Sequence, residues 1–226
     1  MPWRTDSVNF ELIVFDWDGT LMDSEARIVT CIQAAFRDLG LPEPVREVAR
    51  DVIGLGLDEA MERLLPTGEA ELRAKVVVQY RRHFLGGDQS PSELFPGARE
   101  TLDWMTEQGY RLAVATGKSR TGLNKALDET GLHGVFHATR TADETFSKPH
   151  PQMLLELMDE LGARAGETLM IGDTEYDLQM ANNAGVRSLA VCYGVHEPGR
   201  LLACEPLACL DSLWAIRDWL SARQAN

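Results

Sequence analysis

Two aspartates one residue apart, Asp16 and Asp18, stand in Asp16-Trp17-Asp18-Gly19-Thr20, directly after the apolar run Leu12-Ile13-Val14-Phe15. Carboxylates on a turn leaving a buried strand are costly unless something positive lies between them. Asp-Gly is also a strong hairpin signal. A hairpin needs a second strand, however, and Asp23-Ser24 with a helical pattern follows instead. A second acidic pair occurs in Gly172-Asp173-Thr174-Glu175-Tyr176-Asp177, again after an apolar run. There the i, i+4 spacing turns both side chains toward one side of a helix start. Asp173 or Thr174 would equally serve as an N-cap, with Asp177 meeting the helix dipole. In Thr116-Gly117-Lys118-Ser119 the free N–H groups of a helix start and a hydroxyl suit a phosphate oxygen, and capping by Thr116 or Ser119 fits as well. Lys148, in Ser147-Lys148-Pro149-His150-Pro151, would alone read as a solvated lysine before a helix-opening proline. Combined, Asp16, Asp18, Asp173 and Asp177 facing one crevice with a single lysine must protonate or bind a metal. Oxygen ligands without nearby His or Cys imply a hard divalent cation, and Mg2+ suits a site that keeps waters and a substrate phosphate.

These groups need rigid strand ends to hold them. Besides Leu12–Phe15, the runs Leu112–Ala115, Thr168–Ile171 and Ser188–Val191 are short and continuously apolar, as strands covered on both faces are. Amphipathic helices are expected between them at Thr121–Leu132, Gln152–Gly162 and Glu175–Ala184, with Leu154, Leu157, Met158 and Leu161 forming one stripe. This alternation predicts an α/β fold, a Rossmann-like doubly wound parallel sheet. One connection is too long. A βαβ unit needs roughly 30 residues, yet about three times that separates Phe15 from Arg111. The excess holds helical patterns at Ser24–Leu39, Val45–Ile53, Leu57–Leu65 and Glu69–Leu85, and ends in a linker at Gly86-Gly87-Asp88-Gln89-Ser90-Pro91. Pro96-Gly97 then opens a helix leading back to the sheet. Residues 1–22 and 93–226 are therefore expected to form the α/β core, with residues 23–92 an inserted all-helical cap over the carboxyl ends of the strands, where open α/β sheets bind ligands. A closing helix is expected over Leu210–Arg223, with Trp214 and Trp219 in packing roles.

The 226 residues carry a net charge of −13, which argues against a nucleic-acid binder and against docking on anionic membranes. A small anionic substrate stays open, because local site charge outweighs the total. Cys31, Cys192, Cys204 and Cys209 lack CxxC spacing, so they read as reduced, largely buried thiols of a cytoplasmic protein rather than zinc ligands or disulfides. Asp6 and Glu11 near the amino terminus do not suit a signal peptide, and no apolar run approaches the roughly 18 residues of a membrane span.

Phe15-Asp16-Trp17-Asp18-Gly19-Thr20-Leu21, Ala115-Thr116-Gly117-Lys118, Lys148-Pro149 and Gly172-Asp173 through Asp177 together resemble the four ordered motifs of the haloacid dehalogenase superfamily, across essentially the whole chain. The stretch from Gly172 through Ala181-Asn182-Asn183-Ala184-Gly185-Val186 is similar to the phosphoglycolate phosphatase-like branch, and the helical insertion resembles that branch's cap. The resemblance implies a phosphatase acting on a small phosphorylated metabolite, with phosphoglycolate a candidate. It implies Asp16 as the nucleophile forming an aspartyl-phosphate, and Asp18 as the acid and base. Mg2+ would be held by Asp16, the Asp18 carbonyl, Asp173 and Asp177, the last directly or through water. Thr116 and Gly117 would bind phosphoryl oxygens, and Lys148 would pair with both the phosphoryl group and Asp16.

Trp17 departs from the more usual apolar residue between the motif aspartates; its side chain is expected to point away from them, into core or cap. Ile53-Gly54-Leu55-Gly56-Leu57 occupies a place similar to the family's specificity loop and carries no charge. Arg27 could reach an anionic substrate, or be a solvated surface arginine. A phosphomutase, another phosphoryl transferase or a phosphonate hydrolase is the nearest rival. The phosphonate reading would want a Schiff-base lysine, and Lys75, inside an expected helix, is the only lysine of the insertion. Asp18 and Thr20 disfavour dehalogenation, and the insertion disfavours a signalling receiver domain. Monomer and dimer both remain open.

Overall fold

Ile13 and Phe15 point to one side of a β-strand and Leu12 and Val14 to the other, and all four are fully buried. A strand sealed on both faces belongs in the middle of a sheet covered by helices. The computed structural model describes residues 9–87 and 92–224. In chain order its strands are β1 (Leu12–Phe15), β2 (Met22–Asp23), β3 (Glu93–Leu94), β4 (Arg111–Thr116), β5 (Ala138–Thr141), β6 (Thr168–Gly172), β7 (Arg187–Val191) and β8 (Cys209–Leu210). The helices are α1 (Glu25–Asp38), α2 (Arg46–Asp51), α3 (Leu57–Leu64), α4 (Ala70–Arg82), α5 (Ala98–Glu107), α6 (Arg120–Thr130), α7 (Gln152–Leu161), α8 (Glu175–Asn183), α9 (Pro198–Leu202) and α10 (Leu213–Gln224).

Six strands form one parallel sheet in the order β5-β4-β1-β6-β7-β8. The chain first builds outward from β1 through β4 to β5, then returns to β1's other side with β6. This reversal is the switch point of a doubly wound sheet. Helices α5, α6 and α10 pack on the Ile13–Phe15 face through Leu102, Met105, Leu123, Leu127 and Ile216. Helices α7 and α8 cover the other face through Met153, Leu154, Leu157 and Met180.

All four expected strands form. The sequence pattern did not show β5, whose Ala-Thr-Arg-Thr composition has no apolar run. It sits at the sheet edge, where Arg140 is held by Glu156 and Glu160 at 2.7 Å each. Two-residue β8 was also silent, and Leu210, expected in the closing helix, belongs to it. That helix starts later because the Ser212 hydroxyl accepts the Ala215 N–H, at 3.2 Å. Short α9 was not foreseen either. Only Cys31 is fully buried; Cys192, Cys204 and Cys209 are half-buried, and none of the four is in a disulfide.

Helices α1 to α4 lie between β1 and β4 and gather Ile28, Ile32, Phe36, Met61, Val76 and Tyr80 into a hydrophobic cluster of their own, joined from the sheet side by Tyr176 and Val195. The chain enters and leaves this insertion through β2 and β3, an antiparallel pair of two-residue strands. Helix α4 continues into a π-helical turn at His83–Gly87, so Gly86 and Gly87 are helical, while residues 88–91 of the expected linker lie outside the described residues, as does Asp6. No helix among the described residues is long and apolar enough to cross a membrane.

Trp17 settles on the core side. It is fully buried, with its ring 6.1 Å from that of Phe136 in an edge contact and its Nε1 3.4 Å from Met22 Sδ. Trp17→Ala should therefore lower the unfolding free energy by about 3–5 kcal/mol, measured by urea denaturation. A loss below about 0.5 kcal/mol, as at a surface position, would contradict this packing.

Candidate active site

Asp16, Thr116, Gly117, Lys148, Asp173 and Asp177 gather at the carboxyl end of the central sheet, at strand ends, in the loops beyond them or at a helix start. Asp16 lies one residue beyond β1, its N–H donating to the Ile171 carbonyl at 2.9 Å. Thr116 ends β4, Lys148 precedes α7, and Asp173 follows β6. Thr174 is the N-cap of α8, and the Thr174 N–H and hydroxyl donate to Asp177 Oδ2 at 3.0 and 2.7 Å. The capping expectation thus holds for this segment together with the clustering one. Asp177 also faces the lysine.

Lys148, expected to be solvated if isolated, is 1% exposed. Its Nζ lies 2.7 Å from Asp16 Oδ1 and 2.5 Å from Asp177 Oδ1. Apart from this ammonium, no hydrogen-bond donor among the described residues reaches either buried Asp16 oxygen. Asp173 is better satisfied. Thr20 Oγ1 donates to its Oδ1 at 2.7 Å and the Val195 N–H to its Oδ2 at 2.8 Å. Gly19, at φ +84°, and Gly194 lie so close that a Cβ on either would overlap the Asp173 side chain. Two turns from different strands therefore close on one carboxylate.

Burial pushes the Asp16 carboxyl well above the usual carboxylate range; Asp177 and Asp173 push the same way, and Lys148 only partly opposes them. Asp173 is raised to about 7, again by burial first and by Asp177 second. Burial would lower Lys148, but Asp16 and Asp177 outweigh it and hold the ammonium above its ordinary value. One oxygen from each of Asp16, Asp173 and Asp177 falls within 4.8 Å of the others. Three buried carboxylates against one ammonium lack positive charge, and the donor-free Asp16 Oδ2 suits a cation. The oxygen-only set fits a hard divalent ion.

Asp18 departs from this group. Its Oδ1 accepts from Ser24 Oγ at 2.5 Å and lies 2.9 Å from Lys118 Nζ. The expected single lysine is thus two, each neutralising a different motif aspartate. Lys118 is nearly buried; the signal for it was its place at the helix start after Thr116-Gly117, where no role was assigned to it. Ser24 and Val195 were missed because their groups reach the aspartates only through the fold.

Thr116 and Gly117 line a cleft with Asp16, Asp18 and Lys118, under a roof from the helical insertion. The Thr116 hydroxyl accepts the Lys118 N–H at 3.2 Å. The loop Ile53–Leu57 lies on this floor: a Cβ on Gly117 would overlap the Gly54 and Leu55 carbonyls, and the Gly56 N–H donates to Ser147 Oγ at 2.8 Å. The seam beside it is polar. Tyr176 donates to the Asp51 carbonyl at 2.8 Å and accepts from Arg63 at 2.7 Å, and Arg200 joins Asp51 to Glu175. Arg27 is half-buried and outside the cleft lining; it donates to the Phe84 carbonyl at 2.9 Å and lies over that ring. Lys75 is exposed and pairs with Glu71 at 2.8 Å.

The family model for haloacid dehalogenase-like hydrolases matches residues 13–191. "Probable phosphatase IndB" of Dickeya dadantii is 39% identical over 205 residues, 89% of each chain. The phosphoglycolate phosphatase of Aliivibrio fischeri is 34% identical, over 82% of this chain and 86% of its own. Among solved structures, that of a predicted phosphoglycolate phosphatase from Haemophilus somnus superposes with a TM-score of 0.84 at 26% identity, covering 92% of this chain and 97% of its own. The chain belongs to the haloacid dehalogenase-like hydrolases, in their phosphoglycolate phosphatase-like branch.

The raised Asp173 fixes a sign. Between about pH 4 and 7 the folded, metal-free protein keeps a proton on Asp173 that the unfolded chain has released. This contribution stabilises the fold below that window and is lost as pH rises through it. Asp173→Asn cannot ionise and escapes the loss. In EDTA, the Tm of the variant minus that of the wild type should rise from pH 4 to pH 8; a flat difference would show that Asp173 has an ordinary pKa.

Proposed function

We propose that the chain is a Mg2+-dependent phosphatase that hydrolyses a small phosphate monoester through an aspartyl-phosphate on Asp16. The observation that carries this reading is the Asp16 carboxylate itself, buried at the cleft floor and met by Lys148 and by no other hydrogen-bond donor among the described residues. Asp16 attacks phosphorus in line, so that its O–P bond forms as the ester O–P bond breaks. Asp18, fixed through one oxygen by Ser24 and Lys118, gives the leaving oxygen a proton. It then takes a proton from the water that cleaves the phosphoryl-aspartate and restores Asp16.

A carboxylate approaching a phosphate dianion is repelled. Lys148, the Thr116 hydroxyl and the Gly117 N–H offset that repulsion where phosphoryl oxygens would sit. Mg2+, when bound, supplies further charge neutralisation as a Lewis acid. The Asp16 and Asp173 carboxylates and the Asp18 main-chain carbonyl would hold it. Asp177 has Thr174 on one oxygen and Lys148 on the other, which favours contact through water and a role in holding Lys148. Residues 23–92 act as the cap, closing the cleft over residues 1–22 and 93–226. Lys75, the lysine of the insertion, is exposed, paired with Glu71 and outside the cleft lining, which disfavours the Schiff-base reading. Phosphoglycolate enters as a candidate substrate from the names of the relatives.

The test is phosphate release from a panel of phosphorylated metabolites, phosphoglycolate among them. Activity should require Mg2+, vanish in EDTA and fall to background in Asp16→Asn. Equal release by wild type and that variant would remove Asp16 as nucleophile. Asp18→Asn should slow turnover by about 10²–10⁴-fold and let phosphoenzyme accumulate, seen by intact-protein mass spectrometry; near-normal turnover would exclude Asp18 as acid and base.

A further inference from the structure

We infer that the alcohol released by this enzyme is uncharged and apolar, aromatic in preference, rather than a carboxylated one such as glycolate. The inference rests on the phosphatase reading and concerns the part of the substrate beyond the phosphorus. The floor of the cleft is polar, but its roof is not. Ile28 and Ile32 from α1, Ile53 and Leu55 from the loop, and Tyr80 and Phe84 from α4 and its π turn all line it. The two isoleucines of α1 are at most 6% exposed, and the Tyr80 and Phe84 rings stack with centroids 5.6 Å apart and planes 18° from parallel. The pair brings aromatic surface into the lining.

The cations near the roof are already engaged or lie at its edge. Lys118 Nζ sits 4.6 Å from the Phe84 ring centroid but is bound to Asp18 at 2.9 Å. Arg27 lies over the same ring and grips the Phe84 carbonyl. Among the described lining residues the insertion contributes one cation, Arg81, and it is solvent-exposed. A substrate carboxylate drawn under this roof would lose water, find Lys118 already bound to Asp18 and Arg81 only at the solvent-exposed edge, and face the Asp16 and Asp18 carboxylates. An unpaired buried charge is strongly disfavoured. An apolar group gains by the same burial, and an aromatic one gains again by stacking.

The experiment compares benzyl phosphate with 4-carboxybenzyl phosphate, whose added charge is remote from the reacting oxygen, and adds methyl phosphate as an ester too small to reach the roof. Benzyl phosphate should exceed the carboxylated ester in kcat/KM by about 100-fold or more, mainly through KM. Arg81→Ala should leave that ratio unchanged. Phe84→Ala should lower the benzyl-to-methyl ratio of kcat/KM by about 10-fold or more, a ratio insensitive to the fraction of folded enzyme. Comparable rates for the two benzyl esters, a selective loss of the carboxylated ester in Arg81→Ala, or an unchanged ratio in Phe84→Ala would each overturn the inference. Asp16-dependent release from phosphoglycolate but from neither benzyl ester would overturn it as well, whereas no Asp16-dependent release from these esters or from the metabolite panel would instead sink the phosphatase reading.

Discussion

The buried contact of Lys148 with Asp16 and Asp177 is the constraint on which the rest of the site depends. An ammonium that is 1% exposed survives only because two carboxylates meet it, and those carboxylates survive burial only because it is there. The balance is incomplete. Asp173 adds a third carboxylate, so the cluster stays short of positive charge and its protons are held too tightly. The same shortage makes the cluster receptive to a divalent cation and leaves Asp16 Oδ2 without a hydrogen-bond donor among the described residues.

Charge is separated across the cleft by the second lysine. Lys118 keeps Asp18 out of the carboxylate cluster, so two aspartates one residue apart occupy different electrostatic surroundings. Trp17, anchored in the core between them, assists this division by pulling its own side chain to the opposite side of the turn. The glycines at 19 and 194 let two turns approach Asp173 closely enough to donate to it. Polar chemistry is confined to the floor, while the helices above contribute almost only apolar surface. In the proposed phosphatase the floor would meet the phosphoryl group and the roof what is attached to it.

Much of this was legible in the order of residues. The central strands showed as continuous apolar runs because each is sealed on both faces, and α6, α7 and α8 as apolar stripes. Strand β5 was not legible, since an edge strand paired on one side tolerates Thr and Arg. Two-residue β8 is too short for any periodicity. Asp16, Asp173, Asp177 and Lys148 could be grouped from the sequence because each follows a strand or opens a helix, and strand ends converge in this topology. Ser24, Val195 and Lys118 could not be given their partners, because nothing in their types sets them apart from capping, core or surface residues.

By itself the sequence determined which groups are available and where along the chain they fall relative to the strands: two acidic pairs, a hydroxyl–glycine turn, two lysines and a helical insertion after the first strand. These features follow from local rules of periodicity, capping and turn chemistry. Only the tertiary structure decided the pairings, such as Thr20 with Asp173 across 153 residues, Lys118 with Asp18, and the closure of Ile53–Leu57 over Gly117. The physical reason is that such contacts have no local signature. They depend on how far each strand end projects once the core is packed, and a difference of an ångström or two decides which carboxylate meets which ammonium.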